Sequence, residues 1–315
     1  MREAPVGHLA DPELTAYIES ERHASGPTPR QVGAVEARRL QRLRAATRPA
    51  GPALAEVTEV TVDGPVPVST RLYRPTLEPT PLVVFLHGGM WTIGDLESHD
   101  GLCRRLAVAA RAAVLAVDYR RAPEHPWPAA IDDGVAVFRW AAEHAVELSG
   151  TTHPPAIAGD SSGGNLAALI CLRLRDQGGP LPAVQILACP NTDLTLSRPS
   201  TRTKATGWGL TTDAVAWGIE NWVPDPRRRA DPAVSPLFAV ASAGLPPAVI
   251  VTAEHDPLRD EGDEYAARLR AAGVPVRHRC EPGMVHGFLT LAAIAPSAAA
   301  AGERLFADVA ELLPR

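Results

Sequence analysis

The chain has 315 residues, of which 45% are hydrophobic and 21% are charged, and its formal net charge is −5 at pH 7. This composition is typical of a globular protein with ample material for a core, and the acidic balance gives no indication of nucleic-acid binding. The first 18 residues lack an apolar run long enough for a signal peptide or a membrane span. Four cysteines lie far apart without a C-x-x-C pair, so we expect free thiols and a cytoplasmic location.

The N-terminal quarter predicts two helices followed by a β-hairpin. Residues 11–24 and 29–46 have amphipathic helical patterns, and "SGPTP" separates the two segments. Two alternating runs then meet at Asp63 and Gly64, a pair typical of hairpin turns. We therefore expect an antiparallel hairpin after the two helices.

From residue 82 onwards, short apolar runs alternate with amphipathic segments. The runs are "LVVFL", "AVLAV", "PAIAG", "AVQILA", "PAVIVTA" and "VPVRHRC". This alternation predicts βαβ units, and so an α/β fold with a parallel sheet that has helices on both faces. The alternation lapses at about residues 195–240. We interpret that segment, together with about residues 1–50, as a helical cap over the carboxyl edge of the sheet, in one domain spanning residues 1–315.

Two adjacent serines, Ser161 and Ser162, lie on the turn between a predicted strand and a predicted helix. A nucleophile on such a turn needs small residues two positions before and after it, because the strand and the helix approach closely there. Ser161 has Gly159 and Gly163 at these positions, whereas Ser162 would have Asp160 on one side. The spacing therefore selects Ser161 as the nucleophile. The alternative for such a turn is phosphate binding at the helix N-terminus.

A serine nucleophile needs a base, and on this kind of turn the order along the chain is serine, acid, histidine. Three histidines follow Ser161 in the sequence: His255, His278 and His286. His278 lies inside a predicted strand and His255 precedes the last strand. His286 follows that strand in "EPGMVHGF", which we interpret as a loop bounded by Gly283 and Gly287, so we predict that His286 is the base.

The acid of the triad is expected just after the preceding strand. Asp256 follows that strand and Pro257 ends it, while Glu254 is a weaker candidate. The next carboxylates lie in the first turn of a predicted helix, where they favour capping and the helix dipole: Asp260, Glu261 and Asp263. Asp256 is therefore the predicted acid.

The negative oxygen that forms during acyl transfer needs backbone N–H donors. One comes from the residue after the nucleophile and another from an upstream loop. The stretch "LVVFLHGGMW" supplies such a loop, in which His87, Gly88 and Gly89 follow a buried strand. We expect His87 to brace the loop by hydrogen bonds. Together with the predicted triad, this loop indicates an acyl-transferring enzyme.

Six motifs between residues 82 and 290 extend this interpretation. They are "HGGMWTIGDLESHDGLCRRLA", "VDYRRAPEHPWPAAIDD", "GDSSGGNLAA", "DPAVSPLFA", "DPLRDEG" and "GMVHGF". They resemble those of the hormone-sensitive-lipase-like carboxylesterases, the bacterial branch of the α/β-hydrolase superfamily. The resemblance implies an eight-stranded, mostly parallel sheet with a helical cap, and hydrolysis of short to medium acyl esters. It also implies catalytic roles for Ser161, Asp256 and His286, and an oxyanion hole formed by the amides of Gly88, Gly89 and Ser162.

Two positions depart from the commonest family pattern. Met90 stands where many members have a third glycine, and Ser162 stands where alanine is usual. Both positions act through backbone amides, so neither departure removes a donor, and we expect Met90 to narrow the pocket or alter its tolerance for bulky alcohol groups. The candidate pocket residues are Met90, Trp91, Trp208, Leu210 and Phe288. For the tryptophans of the cap, the alternative is packing of the cap onto the core.

Two other functions are compatible with the same fold. Plant gibberellin receptors resemble this family but have lost the catalytic histidine, whereas His286 is present here. An enzyme with the same mechanism could instead be a deacetylase, lactonase or amidase for a specialised metabolite. The sequence has no metal-ligand spacing such as H-E-x-x-H and no dinucleotide or Walker pattern, so we expect no cofactor. The resemblance is also compatible with a homodimer.

Overall fold

Eight strands form one sheet in the computed structural model, which describes residues 9–23, 26–239 and 243–314. They are β1 Glu56–Val62, β2 Val68–Arg74, β3 Leu82–Leu86, β4 Ala113–Val117, β5 Ala156–Asp160, β6 Gln185–Ala188, β7 Ala248–His255 and β8 Val276–Val285. Their order is β1-β2-β4-β3-β5-β6-β7-β8. The two pairs that involve β2 are antiparallel and the other five are parallel. The predicted α/β-hydrolase fold and its mostly parallel sheet are confirmed.

The described residues also contain ten α-helices. They are α1 Pro12–His23, α2 Pro29–Ala46, α3 Leu96–Ala110, α4 Ala129–Glu143, α5 Ala145–Ser149, α6 Ser162–Asp176, α7 Ser200–Thr203, α8 Thr212–Trp222, α9 Arg259–Ala271 and α10 Pro296–Leu312. Within these ranges, no helix combines the length and the apolar character that crossing a bilayer requires. The helices follow the strands in the alternation that the sequence predicted.

Two hydrophobic clusters cover the two faces of the sheet. In β3, Val84 and Leu86 belong to one cluster, while Val83 and Phe85 belong to the other. Successive side chains of a strand point to opposite faces, so both faces of this strand are buried. Residues of α4, α6 and α9 contribute to the first cluster, and residues of α3 and α10 to the second. Burial on both faces explains why the central strands read as continuous apolar runs.

The elements differ from the predictions mainly at their ends. The hairpin connection spans residues 63–67, longer than a two-residue turn. Strand β8 continues through Gly283, which has a φ of 69°, and ends at Val285. His286 therefore follows the strand directly and does not sit in the middle of a loop. Of the first predicted helix, Ala24 lies outside the described residues.

The two segments predicted to form a cap contact each other. Arg30 in α2 forms ion pairs with Asp213 and Glu220 in α8, at 3.2 Å and 2.6 Å. A side chain built at Gly209 would approach Ile18 of α1 at 3.6 Å. Residues 1–8, 24–25 and 240 of the predicted cap lie outside the described residues.

Candidate active site

Ser161 lies on the tight turn between β5 and α6. Its φ of 55° and ψ of −122° place a residue with a side chain in a strained region of backbone conformation. The Ser161 N–H donates to Ala188 O at 2.8 Å, and Ser161 O accepts from the Asn165 N–H at 3.1 Å. These bonds hold the strained residue in place. This is the conformation expected of a nucleophile raised above the end of a strand.

The glycines around Ser161 allow the strand and the helix to touch. A Cβ at Gly159 would lie 2.3 Å from the carbonyl carbon and oxygen of Gly163. A Cβ at Gly163 would lie 2.0 Å from Leu86 O in the neighbouring strand. No side chain fits at either place. These two contacts are the physical reason why the positions two residues before and after Ser161 must be glycine, which is the spacing that selected Ser161 over Ser162.

Replacing Gly159 with alanine is expected to destabilise the protein by about 3 kcal/mol, because backbone would have to move to admit the methyl group. Chemical denaturation of the variant and the wild type measures this difference. Gly26→Ala is the matched control, since nothing lies within 4 Å of a Cβ at Gly26. Equal stability of the Gly159→Ala and Gly26→Ala variants would contradict the close approach of β5 and α6.

A line of hydrogen bonds connects Ser161, His286 and Asp256. His286 Nε2 lies 2.9 Å from Ser161 Oγ, and His286 Nδ1 lies 2.7 Å from Asp256 Oδ2. Asp256 is fully buried, and its other oxygen accepts from the Leu258 N–H at 2.8 Å. Because the carboxylate can only accept, Nδ1 carries the proton and Nε2 is left to accept from the serine hydroxyl.

The carboxylate beside His286 changes the basicity of its imidazole. Burial alone disfavours the charged ring, but the charge and the hydrogen bond of Asp256 outweigh burial and raise the pKa of His286 above 6.5. The ring is therefore a stronger base than a free histidine. A stronger base is better able to take the proton of a hydroxyl nucleophile.

The rejected candidates for base and acid have partners elsewhere. His278 Nε2 lies 2.9 Å from Asp263 Oδ1, so this histidine of β8 pairs with an aspartate of α9. His255 stacks on Trp208, with ring centroids 4.0 Å apart. Glu254 accepts from the Gly283 N–H at 2.8 Å. None of these bonds joins Ser161.

The structure corrects the predicted role of Gly88. Its N–H donates to Asp160 Oδ1 at 2.9 Å, so this amide is already bonded and does not face an oxyanion. The buried Asp160 also lies 3.3 Å from His99 Nε2. Burial opposes ionisation of Asp160, but His99 and the Gly88 N–H lower its pKa below the usual value. The sequence analysis missed Asp160 and His99, because the pair is far apart along the chain and carries no motif of its own.

His87 braces the glycine loop. Its Nδ1 lies 2.8 Å from Gly88 O, so the ring donates to that carbonyl. The Gly88 C=O and the Gly89 N–H belong to one trans peptide and point in opposite directions, so the bond from His87 also directs the Gly89 N–H. Burial, with a smaller contribution from His99, lowers the pKa of His87 to about 3, and the ring stays neutral.

Three backbone amides remain as donors for an oxyanion. Within the described ranges, the N–H groups of Gly89 and Met90 donate to no protein acceptor. Ser162 is the first residue of α6, where helix N–H groups lack partners within the helix. Met90 has a φ of 55°, a conformation that usually belongs to glycine. Its position is that of the third glycine in the commonest family pattern, where the sequence analysis expected Met90 to act through its backbone amide.

The five predicted pocket residues lie in different surroundings. Trp91 is fully buried and stacks on Trp222 at the end of α8 with centroids 4.5 Å apart, so it packs against that helix. Phe288 is also fully buried and borders a cavity of about 10 Å³ next to Ser161. The other three are partly buried: Met90, Trp208 and Leu210.

The sequence analysis did not predict two of the residues that line the small cavity beside Ser161, Cys189 and Leu289. Cys189, His286 and Leu289 line it together with Phe288. The side-chain ligand atoms of Cys189, Asp256 and His286 lie within 4.8 Å of one another. Cys189, Cys103 and Cys171 are buried and Cys280 is exposed, and all four are free cysteines. Larger clefts occur elsewhere, for example beside Trp127 and Arg173, but no hydrogen-bonded serine and histidine line that cleft.

Comparisons with known proteins identify the family of this chain. A family model described as the alpha/beta hydrolase fold matches residues 83–290. Carboxylic ester hydrolase LipN of Mycobacterium tuberculosis is 43% identical over 268 residues, which cover 82% of this chain and 71% of that protein. Ethyl acetate hydrolase of Pseudomonas putida is 34% identical over 297 residues, which cover 90% of this chain and 93% of that protein.

A solved structure gives the same result at the level of the fold. LAE6, an alpha/beta hydrolase enzyme from the metagenome of Lake Arreo, Spain, superposes with a TM-score of 0.91 at 35% identity. The alignment covers 96% of this chain and 98% of that chain. The chain is therefore an enzyme of the α/β-hydrolase superfamily and belongs to its hormone-sensitive-lipase-like carboxylesterases.

Proposed function

We propose that this enzyme hydrolyses short to medium acyl esters through a covalent acyl-enzyme on Ser161. The observation that carries the proposal is the continuous line from Ser161 Oγ through His286 to the buried Asp256, with contacts of 2.9 Å and 2.7 Å. The names of the relatives, a carboxylic ester hydrolase and an ethyl acetate hydrolase, support ester substrates.

In the first step, Ser161 Oγ attacks the ester carbonyl carbon while His286 Nε2 takes the hydroxyl proton. The carbonyl oxygen becomes an oxyanion, and Asp256 stabilises the charged imidazole that forms. His286 then gives its proton to the leaving alcohol as the carbon–oxygen bond breaks. The products of this step are a free alcohol and an ester between the acyl group and Ser161.

In the second step, water takes the place of the alcohol. His286 removes a proton from the water as its oxygen attacks the acyl-enzyme carbonyl, and a second oxyanion forms. The proton then passes to Ser161 Oγ as the carboxylic acid leaves. The enzyme returns to its starting protonation state, and the chain's own residues supply every proton acceptor and donor.

The oxyanion of both steps is stabilised by the N–H groups of Gly89, Met90 and Ser162. This assignment keeps two of the three predicted donors and replaces Gly88 with Met90, since Gly88 is bonded to Asp160. Each such donor contributes about 10²- to 10³-fold to the rate in acyl-transfer enzymes. The donors act on the transition state, where the charge develops.

The segments at about residues 1–50 and 195–240 form the cap of a single domain and cover the carboxyl edge of the sheet. The ion pairs between α2 and α8 support this arrangement. Met90 supports it as well, because a Cβ at Gly218 of α8 would lie 2.4 Å from Met90 Cβ. This close approach supports a cap in which α8 packs against the glycine loop, with Met90 narrowing the space for the alcohol group.

Hydrolysis of p-nitrophenyl esters from acetate to laurate tests the proposal. We expect activity on the short and medium chains and a decline toward the longest ones. An aryl alkylphosphonate should inactivate the enzyme with one equivalent, and peptide mass spectrometry should find the adduct on Ser161. No hydrolysis at any chain length, or an adduct on another residue, would contradict the proposal. If the wild-type protein hydrolyses none of these esters, the result would favour a non-catalytic binding protein on this fold.

A further inference from the structure

One face of cap helix α2 contacts the segment that follows the glycine loop. Three polar side chains on this face make the contacts, at positions i, i+3 and i+4: Arg38, Gln41 and Arg42. Gln41 Oε1 accepts from the Gly94 N–H at 2.8 Å. Arg42 Nε donates to Asp95 Oδ2 at 2.7 Å. The cap is therefore bonded to the segment that directly follows the proposed oxyanion donors Gly89 and Met90.

Arg38 makes the most extensive of these contacts. Its Nε donates to Thr92 O and its Nη2 donates to Ala122 O, both at 2.7 Å. Its guanidinium also pairs with Glu124, with contacts of 2.9 Å and 2.6 Å. Only 19% of the Arg38 side chain is exposed. A planar guanidinium has five donors in a rigid fork and can bind two carbonyls and both oxygens of a carboxylate at once, four contacts that the three donors of a lysine ammonium cannot all make.

The two carbonyls that Arg38 binds belong to residues that hold the glycine loop. The Ala122 N–H donates to Trp91 O at 2.9 Å. The N–H groups of Thr92 and Ile93 donate to Gly89 O at 3.0 Å and 2.8 Å. Arg38 therefore binds the carbonyl of Thr92, the residue whose own N–H helps to orient the Gly89 carbonyl.

The orientation of the Gly89 carbonyl determines the direction of the Met90 N–H. These two groups belong to one planar trans peptide, so they point in opposite directions. A carbonyl fixed by the Thr92 and Ile93 amides leaves the Met90 N–H aimed away from the turn. Met90 holds this direction at a φ of 55°, which costs conformational energy unless its surroundings enforce it.

We propose that Arg38 is a positioning residue for the oxyanion hole: from the cap, it fixes the turn that aims the Met90 N–H. The inference rests on the proposed function, because it needs Met90 as a donor. In this role Arg38 acts through the turn, by its bonds to Thr92 O and Ala122 O, and not by contact with substrate. The alternative is that Arg38 only anchors α2 to the body of the protein, in which case its loss would change stability and leave catalysis intact.

Arg39 provides a matched control on the same helix. It is 59% exposed, and it pairs with Glu36 of α2 through contacts of 2.8 Å and 2.7 Å. Arg39→Ala removes the same charge and the same number of atoms as Arg38→Ala without touching the turn. The comparison therefore separates the effect of position from the effect of charge.

The experiment measures kcat and KM for p-nitrophenyl butyrate, with thermal unfolding, in the wild type and in the Arg38→Ala, Arg38→Lys and Arg39→Ala variants. We expect Arg38→Ala to lower kcat by about 10- to 100-fold with KM little changed, since small misplacement of a catalytic group has effects of this size. An alkylboronic acid, which forms a tetrahedral anion on the serine, should bind more weakly by the same factor. Arg38→Lys should give an intermediate kcat, and Arg39→Ala should match the wild type.

Two results would overturn the inference. The first is an Arg38→Ala variant with the kcat of Arg39→Ala, whatever its unfolding temperature. The second is an Arg38→Lys variant with the full kcat of the wild type, which decides the matter if Arg38→Ala does not fold. An inactive wild-type enzyme would instead contradict the proposed function, so the two failures are distinguishable.

Discussion

Replacing Ser161 with alanine is expected to lower kcat for p-nitrophenyl butyrate by about 10⁶-fold. Alanine has no oxygen to form the acyl-enzyme, and the remaining groups can only stabilise direct attack by water. Steady-state kinetics at high enzyme concentration measures the residual rate. The variant should also fail to react with the phosphonate. Far-ultraviolet circular dichroism should show that it is folded, because the Ser161 side chain is short and borders a small cavity.

Ser162→Ala is the matched control for this variant. It changes the neighbouring serine, which is fully buried, and it leaves the backbone N–H in place. We therefore expect Ser162→Ala to keep most of the wild-type activity. A loss of similar size in both variants would show that the doublet cannot be divided into a nucleophile and an amide donor. It would also remove the basis for choosing Ser161 from the glycine spacing.

The parts of the molecule that the sequence predicted correctly depend on local patterns. The strand "PAIAG", the glycines at 159 and 163, and the helix that follows lie within about 20 residues, and their spacing defines the turn around Ser161. Each central strand is buried on both faces and therefore has a continuous apolar sequence. His286 could be chosen because it is the histidine that follows the last strand.

The parts that the sequence could not predict depend on contacts between distant residues. The bond from the Gly88 N–H to Asp160 spans 72 positions, and nothing near Gly88 in the sequence indicates it. The contact between Arg38 and Thr92 spans 54 positions, and Arg38 lies in a basic run that resembles a solvated helix face. Periodicity identifies which face of a helix is apolar, but it does not identify the partner of a polar side chain.

Replacing Asp256 with asparagine is expected to lower kcat by about 10⁴-fold, as the same change does in a serine-protease triad. The amide carries no charge to stabilise the imidazolium, and its NH₂ group favours the wrong tautomer of His286.

A pH profile adds a second measurement. His286 must be neutral to accept the proton, and its pKa is raised above 6.5, so wild-type kcat/KM should rise through a midpoint above pH 6.5. In Asp256→Asn this midpoint should move downward, because burial then acts without the opposing charge.

Asp263→Asn tests whether the effect belongs to this particular carboxylate. Asp263 also lies beside a histidine, with 2.9 Å between its Oδ1 and His278 Nε2, but this pair makes no contact with Ser161. We expect Asp263→Asn to keep both the rate and the midpoint of the wild type. A midpoint that stays unchanged in Asp256→Asn would mean that His286 is not the group that titrates in catalysis. A shift of the midpoint in Asp263→Asn alone would instead identify His278 as the base. The two variants therefore distinguish the triad from the Asp263–His278 pair.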